Sequence, residues 1–442
     1  MDRGVNGSLA RAADLISRNR RLIRLIGVLG GIRAAHAVGG IVLVAVVVRG
    51  WSLTDAGVYF LFVTVSAMAG ALLLGALQHL SLRHGSIYRE KGDDAGRLRL
   101  FGFGWAVALL LYVVLKGLLA AVGTGGAGLP EAATRLLATG LLAESITLSG
   151  LILFMVGYAR SGGHLTAAQL PEFVFRTWGM VLLAAAVLAL PGAHDAVSLP
   201  QLFVAVQIVS LLFLLAVSRA FVSFVKLRPS TIRPERGWVA EYPRLAFYTG
   251  SGAVLASMDV ILVGLLLSVE DAAIYKVAAQ AGAIIISGIQ LSNVIYAPQM
   301  AVLHDKGERD QLQRVTRHSA RISFLISLAV VALFAVSQPV LPTIFGSEFG
   351  AAYVPLMILA AGRLVNAWYG SATNLAIMSG TSILIVWAQL LGIVVAALLI
   401  GLLAPAGGVA GVAMAMSVSL VVWNVVLARA LHRKLKVKLG AF

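Results

Sequence analysis

Five cations and three carboxylates of this 442-residue chain lie inside stretches otherwise built from Leu, Val, Ile, Ala and Gly: Arg33, Lys116, Arg176, Lys276 and Arg363, with Glu144, Glu172 and Asp259. A charge near the centre of a bilayer costs between about 2.5 and more than 10 kcal/mol, so it faces a cavity or a partner. Arg33 is about nine residues into the first apolar stretch, roughly 14 Å deep at 1.5 Å per residue, and His36 is one turn further on the same face. Arg363 is about thirteen residues into the tenth stretch. A guanidinium presents a planar fork matched to phosphate oxygens. Arg33, Arg363 and His36 are therefore candidates for holding an anion, against the alternative of buried ion pairs or packed polar groups that lock helices together. Arg176 is a further candidate, although Glu172 one turn before it and Glu144 across the same hairpin favour pairing within the protein. Lys116 is near the end of its stretch and can snorkel to the interface.

Asp259 and Lys276 fall at similar depth in the seventh and eighth stretches. A salt bridge between them is one reading. The other is a carboxylate that trades its partner for a proton or Na⁺, which makes Asp259, Lys276 and Glu144 the candidate ion-coupling residues. Asn293, Gln290 and Asn366 offer neutral hydrogen bonds to a sugar, or amide contacts between helices. There is no Cys, and the eight His are scattered, so no metal site is expected. No G-x-x-x-x-G-K-[ST] run is present, and no nucleotide or other cofactor is expected.

These residues need helices to carry them across a membrane. The composition, 59% hydrophobic with 12% charged and a mean hydropathy of +0.91, is that of an integral membrane protein. Crossing a hydrocarbon core of roughly 30 Å takes about 20 helical residues. Twelve stretches suffice, at about 25–48, 53–79, 101–122, 134–157, 168–190, 200–224, 245–267, 272–297, 320–341, 350–378, 382–403 and 408–430. The net charge of +16 could suggest nucleic acid, but 28 of the 35 Lys and Arg lie in the termini and alternate loops on one side, against two on the other. The charge is a topology signal: both termini are expected in the cytoplasm, and nucleic acid is not an expected partner. The basic segment before Leu25 has no small-residue cleavage site behind it, so the first helix is expected to be retained.

The expected organisation is a basic cytoplasmic segment 1–24, a six-helix lobe 25–225, a Pro-containing cytoplasmic linker 226–243, a second six-helix lobe 244–431 and a basic cytoplasmic tail 432–442. No connection is long enough for a catalytic domain, which disfavours a membrane enzyme such as a polysaccharide polymerase. The halves also repeat. Ser52, Asp55, Ala56 and Tyr59 match Ser268, Asp271, Ala272 and Tyr275 at an offset of 216, and Glu90-Lys91-Gly92-Asp93 matches Asp305-Lys306-Gly307-Glu308 at 215. Each half has an even number of spans, so the expected fold is all-α, twelve transmembrane helices in two lobes related by a pseudo-twofold along the membrane normal.

With these pieces in order, the chain resembles the polysaccharide-flippase (Wzx-type) branch of the multidrug/oligosaccharidyl-lipid/polysaccharide exporter superfamily. The resemblance rests on Asp55-Ala56-Gly57-Val58-Tyr59, Met258 through Gly264 with Ala273-Ile274-Tyr275, Tyr296-Ala297-Pro298, Ile344-Phe345-Gly346 and Gly408-Val409-Ala410-Gly411. It implies a bacterial inner-membrane transporter that moves undecaprenyl-pyrophosphate-linked oligosaccharide to the outer leaflet, with the intramembrane Arg residues on the pyrophosphate. Membrane lipids and a polysaccharide polymerase or assembly proteins are the implied partners. A cation-coupled multidrug exporter of the same superfamily is the alternative, which five cations against three carboxylates within the spans disfavours. Twelve spans rather than fourteen argues against the peptidoglycan-precursor branch.

Overall fold

The computed structural model describes residues 20–124, 128–220, 223, 234–336, 338 and 340–441. Most of the expected basic segment 1–24 and residues 226–233 of the expected linker lie outside the described residues. Among the described residues every regular element is a helix. Eleven are long and apolar enough to cross a membrane: Gly30–Gly50, Leu53–Glu90, Asp94–Gly123, Leu142–Ser161, Pro171–Ala189, Leu199–Val217, Arg236–Leu266, Val269–Gln290, Arg309–Ala335, Ser347–Tyr369 and Ile383–Leu435. The last has 53 residues, about 80 Å of helix at 1.5 Å per residue, against a core of roughly 30 Å. It folds back around Pro405 and Gly408, the latter at φ 53°. Across that fold a Cβ on Gly411 would lie 2.2 Å from the Leu403 carbonyl oxygen, and Ser419 Oγ donates to Gly392 O at 2.7 Å. Folded back, this helix supplies two crossings, which brings the described residues to twelve spans, as expected, numbered below in chain order. The third span has only 6% of its most apolar window buried. Leu109, Leu110, Val113 and Leu118 lie bare on it, which is a lipid-facing surface in a multi-pass membrane protein.

The repeat in sequence is a repeat in structure. Ser52 caps the second span, its Oγ accepting from Asp55 N at 3.1 Å and donating to Asp55 Oδ2 at 2.6 Å. Ser268 caps the eighth in the same way, with Asp271 at 2.9 and 2.7 Å. At the far ends, Asp93 N donates to Tyr88 O around Gly92 (φ 66°), and Glu308 N to Leu303 O around Gly307 (φ 69°). Both turns need the left-handed backbone that glycine adopts freely. Between cap and turn the C-terminal copy is one residue shorter, and the eighth span contains a 3₁₀ segment, Ile284–Ile286, where the second is α-helical throughout. Three 3₁₀ residues at about 2.0 Å each rise as far as four α residues at about 1.5 Å, so the tighter winding restores the lost length. Ser327 Oγ of the ninth span donates to Ile285 O at 2.7 Å, satisfying a carbonyl in the break. Ser292, Ser319, Ser371 and Asn293 form a chain of hydrogen bonds just below it.

The halves meet along the second and seventh spans. At the end carrying the basic loops, Trp238 is fully buried among residues of the N-terminal half. Glu235 there accepts from Tyr88 Oη at 2.6 Å and Arg99 Nη2 at 3.0 Å, and Glu241 from Arg83 Nη1 at 2.7 Å. These anchors explain why helix begins at Arg236, inside the stretch expected as a linker. The expected tail is partly ordered too: helix runs to Leu435, then Val437 is buried and Lys438 exchanges two backbone hydrogen bonds with the Gln313 side chain. At the opposite end, Thr54 Oγ1 donates to Glu270 Oε1, and Arg49 Nε to Ile344 O at 2.8 Å. Gly57 passes so near the eighth span that a Cβ would stand 2.1 Å from Val269 O.

Candidate functional site

The fifth span opens with Pro171 and winds as a π-helix over Pro171–Gly179. A wider turn of this kind presents extra side chains over a short rise and is frequent at functional sites. It carries Glu172, Phe173, Arg176 and Thr177, and the first span passes beside it. His36 Nδ1 lies 2.7 Å from Thr177 Oγ1, and Trp178 Nε1 donates to Ala35 O at 3.1 Å. The Phe173 ring meets the His36 ring edge-on at 5.2 Å and the Arg33 guanidinium at 5.8 Å. Arg176 reaches over the Phe203 ring of the sixth span, also at 5.8 Å.

From the other half, the eighth span turns Lys276 and Gln280 toward the same place. His36, Glu172, Arg176, Lys276 and Gln280 thereby line one cavity of about 190 Å³. Gly40 makes room for this approach, since a Cβ there would be 2.3 Å from Gln280 Nε2. Arg176 and Glu172 also line an adjoining cavity of about 170 Å³ within the N-terminal half. Its polar wall is Gln207, bonded to Ser145 and Ser149 at 3.0 and 2.7 Å.

A third cavity of about 390 Å³ lies inside the C-terminal half, with Asp259, Arg363, Asn366, Gln389 and Trp423 in its wall. Asp259 Oδ2 accepts from Tyr275 Oη at 2.9 Å and Oδ1 from Val260 N at 2.8 Å. Arg363 Nη1 donates to Ala279 O at 3.0 Å. Gly282 lets it pass, because a Cβ would be 2.3 Å from that nitrogen. Arg363, from the tenth span, thus leans against the eighth, which carries Lys276 and Gln280.

The structure gathers His36, Arg176 and Lys276 at one place, Asp259 and Arg363 at a second, and leaves Arg33 exposed beside Phe173. Three expected pairings are replaced. Among the described residues no ion pair joins Asp259 to Lys276, because Tyr275 takes the carboxylate while Lys276 faces the central cavity. None joins Glu172 to Arg176, whose guanidinium is drawn over Phe203. Glu144 does not reach Arg176; Lys116 holds it at 2.5 Å and Tyr112 at 3.2 Å, close to the end opposite the basic loops. Asn293 accepts from Ser371 at 2.6 Å and serves packing. Sequence reasoning did not select Tyr275, Thr177, Gln280, Gln389 or Trp423. Tyr275 stands out in the sequence only as a member of the repeat and of the Ala273-Ile274-Tyr275 motif.

Residues 203–354, about a third of the chain, match a family model described as "Polysaccharide biosynthesis protein". No curated protein sequence matches. Among solved structures, an inward-facing multidrug-resistance MATE-family transporter of the MOP superfamily has a TM-score of 0.70 at 15% identity, covering 90% of this chain and 94% of that one. The fold is that of the MOP-superfamily transporters. An inward-closed structure of the lipid II flippase MurJ scores 0.67 at 13% identity, over 90% and 87% of the two chains. An outward-facing MATE-family transporter scores 0.60 at 16% identity, over 92% and 96%. These neighbours are transporters and a flippase.

Proposed function

We propose that this chain is a secondary transporter that flips an undecaprenyl-pyrophosphate-linked oligosaccharide from the inner to the outer leaflet of a bacterial inner membrane. One observation carries the reading: Arg176 and His36 from the N-terminal half and Lys276 from the C-terminal half face a single cavity. An anion held between cations on both halves couples their separation to its own movement, which is what alternating access by rocking lobes requires. The polysaccharide-biosynthesis match supports a glycan cargo, and the likeness to MurJ supports a lipid-linked one.

The basic end is placed in the cytoplasm by the positive-inside rule, with residues 25–225 and 244–431 as the rocking lobes. Closer likeness to an inward-facing neighbour (0.70) than to an outward-facing one (0.60) supports a state closed at the outer end, where Thr54 meets Glu270 and Arg49 meets Ile344. Arg33 beside Phe173 and Arg363 in the C-terminal cavity are the further groups offered to the pyrophosphate. Asp259, with Tyr275 and Lys276, is the ion-coupling group. Membrane lipids and a polysaccharide polymerase or assembly proteins are its partners.

The test is a clean deletion in a host without a paralogue. Lipid-linked oligosaccharide should accumulate on the inner leaflet and surface polysaccharide should disappear, with wild type but not Arg176→Ala restoring it. Normal surface polysaccharide in the deletion strain sinks the proposal.

A further inference from the structure

The cavities between the halves and inside the C-terminal half differ in chemistry. The first, with Arg176 and Lys276 against Glu172, has a net positive charge and suits a phosphate anion. The second, about twice as large at about 390 Å³, falls within the roughly 300–1,000 Å³ of ligand pockets. Its two charged residues, Asp259 and Arg363, have opposite sign, so it has no net positive charge to draw in a phosphate. What remains is unused hydrogen-bonding capacity. Among the described residues, no partner holds the Asn366 amide or the Trp423 indole N–H. Gln389 accepts only a long bond of 3.4 Å from Ser251 at its Oε1, which leaves its amide N–H groups open to the cavity. Ser417 and Ser419, by contrast, are spent on the carbonyls of Ile358 and Gly392.

Free amides that both donate and accept, spare guanidinium donors and an indole face form the combination that recognises a sugar ring. Hydroxyls need paired donors and acceptors, and the apolar ring face needs a flat, polarisable surface. Trp423 packs against Gly392 of the eleventh span, where an added Cβ would lie 3.3 Å from Trp423 Cβ and 3.5 Å from its indole Cδ1. Arg363 in the wall of this cavity donates to Ala279 O of the eighth span, the span that carries Lys276 of the central cavity, so one helix connects the two.

We infer that the cavity inside the C-terminal half is a glycan subsite, in which Trp423 is the stacking platform and Gln389 and Asn366 read the hydroxyls of the sugar next to the pyrophosphate. The inference rests on the flippase reading above. It divides recognition of the cargo between an anion site shared by the halves and a sugar site owned by one.

The experiment measures Kd of the purified full-length protein for undecaprenyl pyrophosphate and for its N-acetylglucosamine-linked form, by native mass spectrometry. Wild type should bind the sugar-bearing lipid about tenfold more tightly. Trp423→Ala and Gln389→Ala should each bring the two Kd values to within about twofold of one another, whereas Trp423→Phe, which keeps an aromatic face, should retain most of the preference. Should Trp423→Ala fail to fold, Gln389→Ala and Trp423→Phe decide the matter alone. Equal affinities in wild type, or a preference that survives Gln389→Ala and Trp423→Ala, overturn the subsite and leave the flippase reading intact. Failure of wild type to bind either lipid removes the flippase reading, and the subsite with it.

Discussion

Thr54 and Glu270 stand 216 residues apart, the spacing of the internal repeat, and the Thr54 hydroxyl donates its proton to the Glu270 carboxylate. They are the same position in the two copies, so their contact sits where the pseudo-twofold passes between the halves. Three residues beyond Thr54 and one before Glu270, the backbones close up at Gly57 and Val269.

That closure is expected to be sensitive to a single methyl group. At Gly57 the obstructing atom is the Val269 carbonyl oxygen, part of the backbone. Gly57→Ala should therefore push the hairpins apart and cost about 1–3 kcal/mol, seen as a lowered Tm. Thr54→Val should instead leave the fold stable and raise labelling of a cysteine placed at Val269, buried here, from the outer side. Unchanged labelling would mean that the contact does not hold that end shut.

Arg176→Ala and Lys276→Ala should each abolish transport while the protein remains inserted at normal levels, because each removes one side of the shared anion site. Arg176→Lys should recover activity only in part, since an ammonium keeps the charge but loses the planar fork. Transport assays alongside membrane blots separate this outcome from misfolding.

The Asp259–Tyr275 bond gives a way to tell coupling from packing. Asp259→Asn keeps an acceptor for the Tyr275 hydroxyl, so the protein should fold and bind cargo but lose dependence on the ion gradient. Asp259→Leu leaves that buried hydroxyl without a partner, at about 1–3 kcal/mol, and should reduce protein levels. Because Lys276 is not paired with Asp259 within 4 Å, Lys276→Met should not rescue Asp259→Leu. Gradient-dependent transport by Asp259→Asn would end the coupling role.

Glu144 is expected to matter least among the intramembrane carboxylates. Its partner Lys116 is about half exposed and both lie apart from the cavities that hold Arg176, Lys276 and Asp259. Glu144→Gln should transport at wild-type rate; a loss of gradient dependence would restore it to the coupling set.

Orientation can be read by labelling single cysteines in this Cys-free chain. Cysteines at Lys91 and Lys306 should react only in permeabilised cells, and one at Glu131 should react in intact cells. The reverse pattern would invert every statement about inner and outer ends.

The twelve spans were legible because lipid demands long uninterrupted apolar runs, and even the fold-back at Gly408 was marked by Pro405 and paired glycines. The charges in the spans could be listed but not paired. Sequence gives the depth of Asp259 and Lys276 without the direction each faces, and Tyr275, one residue before Lys276, turns out to face the carboxylate instead. Nor does any residue pattern announce that the fifth span begins as a π-helix, or that Arg176 reaches over Phe203 of the sixth span rather than pairing with Glu172. Gln389 and Trp423 belong to different spans and become neighbours only when the eleventh and twelfth fold against the seventh and tenth.

The short 3₁₀ segment in the eighth span mends length but not direction. Three of its residues turn the chain through about 360°, whereas four α residues turn it through about 400°. Beyond Ile286, the eighth span is therefore rotated by about 40° relative to its counterpart in the second. That twist puts the copies out of phase. Before the break, Lys276 and Gln280 look across to the opposite half; after it, Ser292 and Asn293 look sideways to Ser319 and Ser371 of their own. A single missing residue in a duplicated chain has given one helix two allegiances, and the resulting asymmetry lets the two copies perform different work within one symmetric frame.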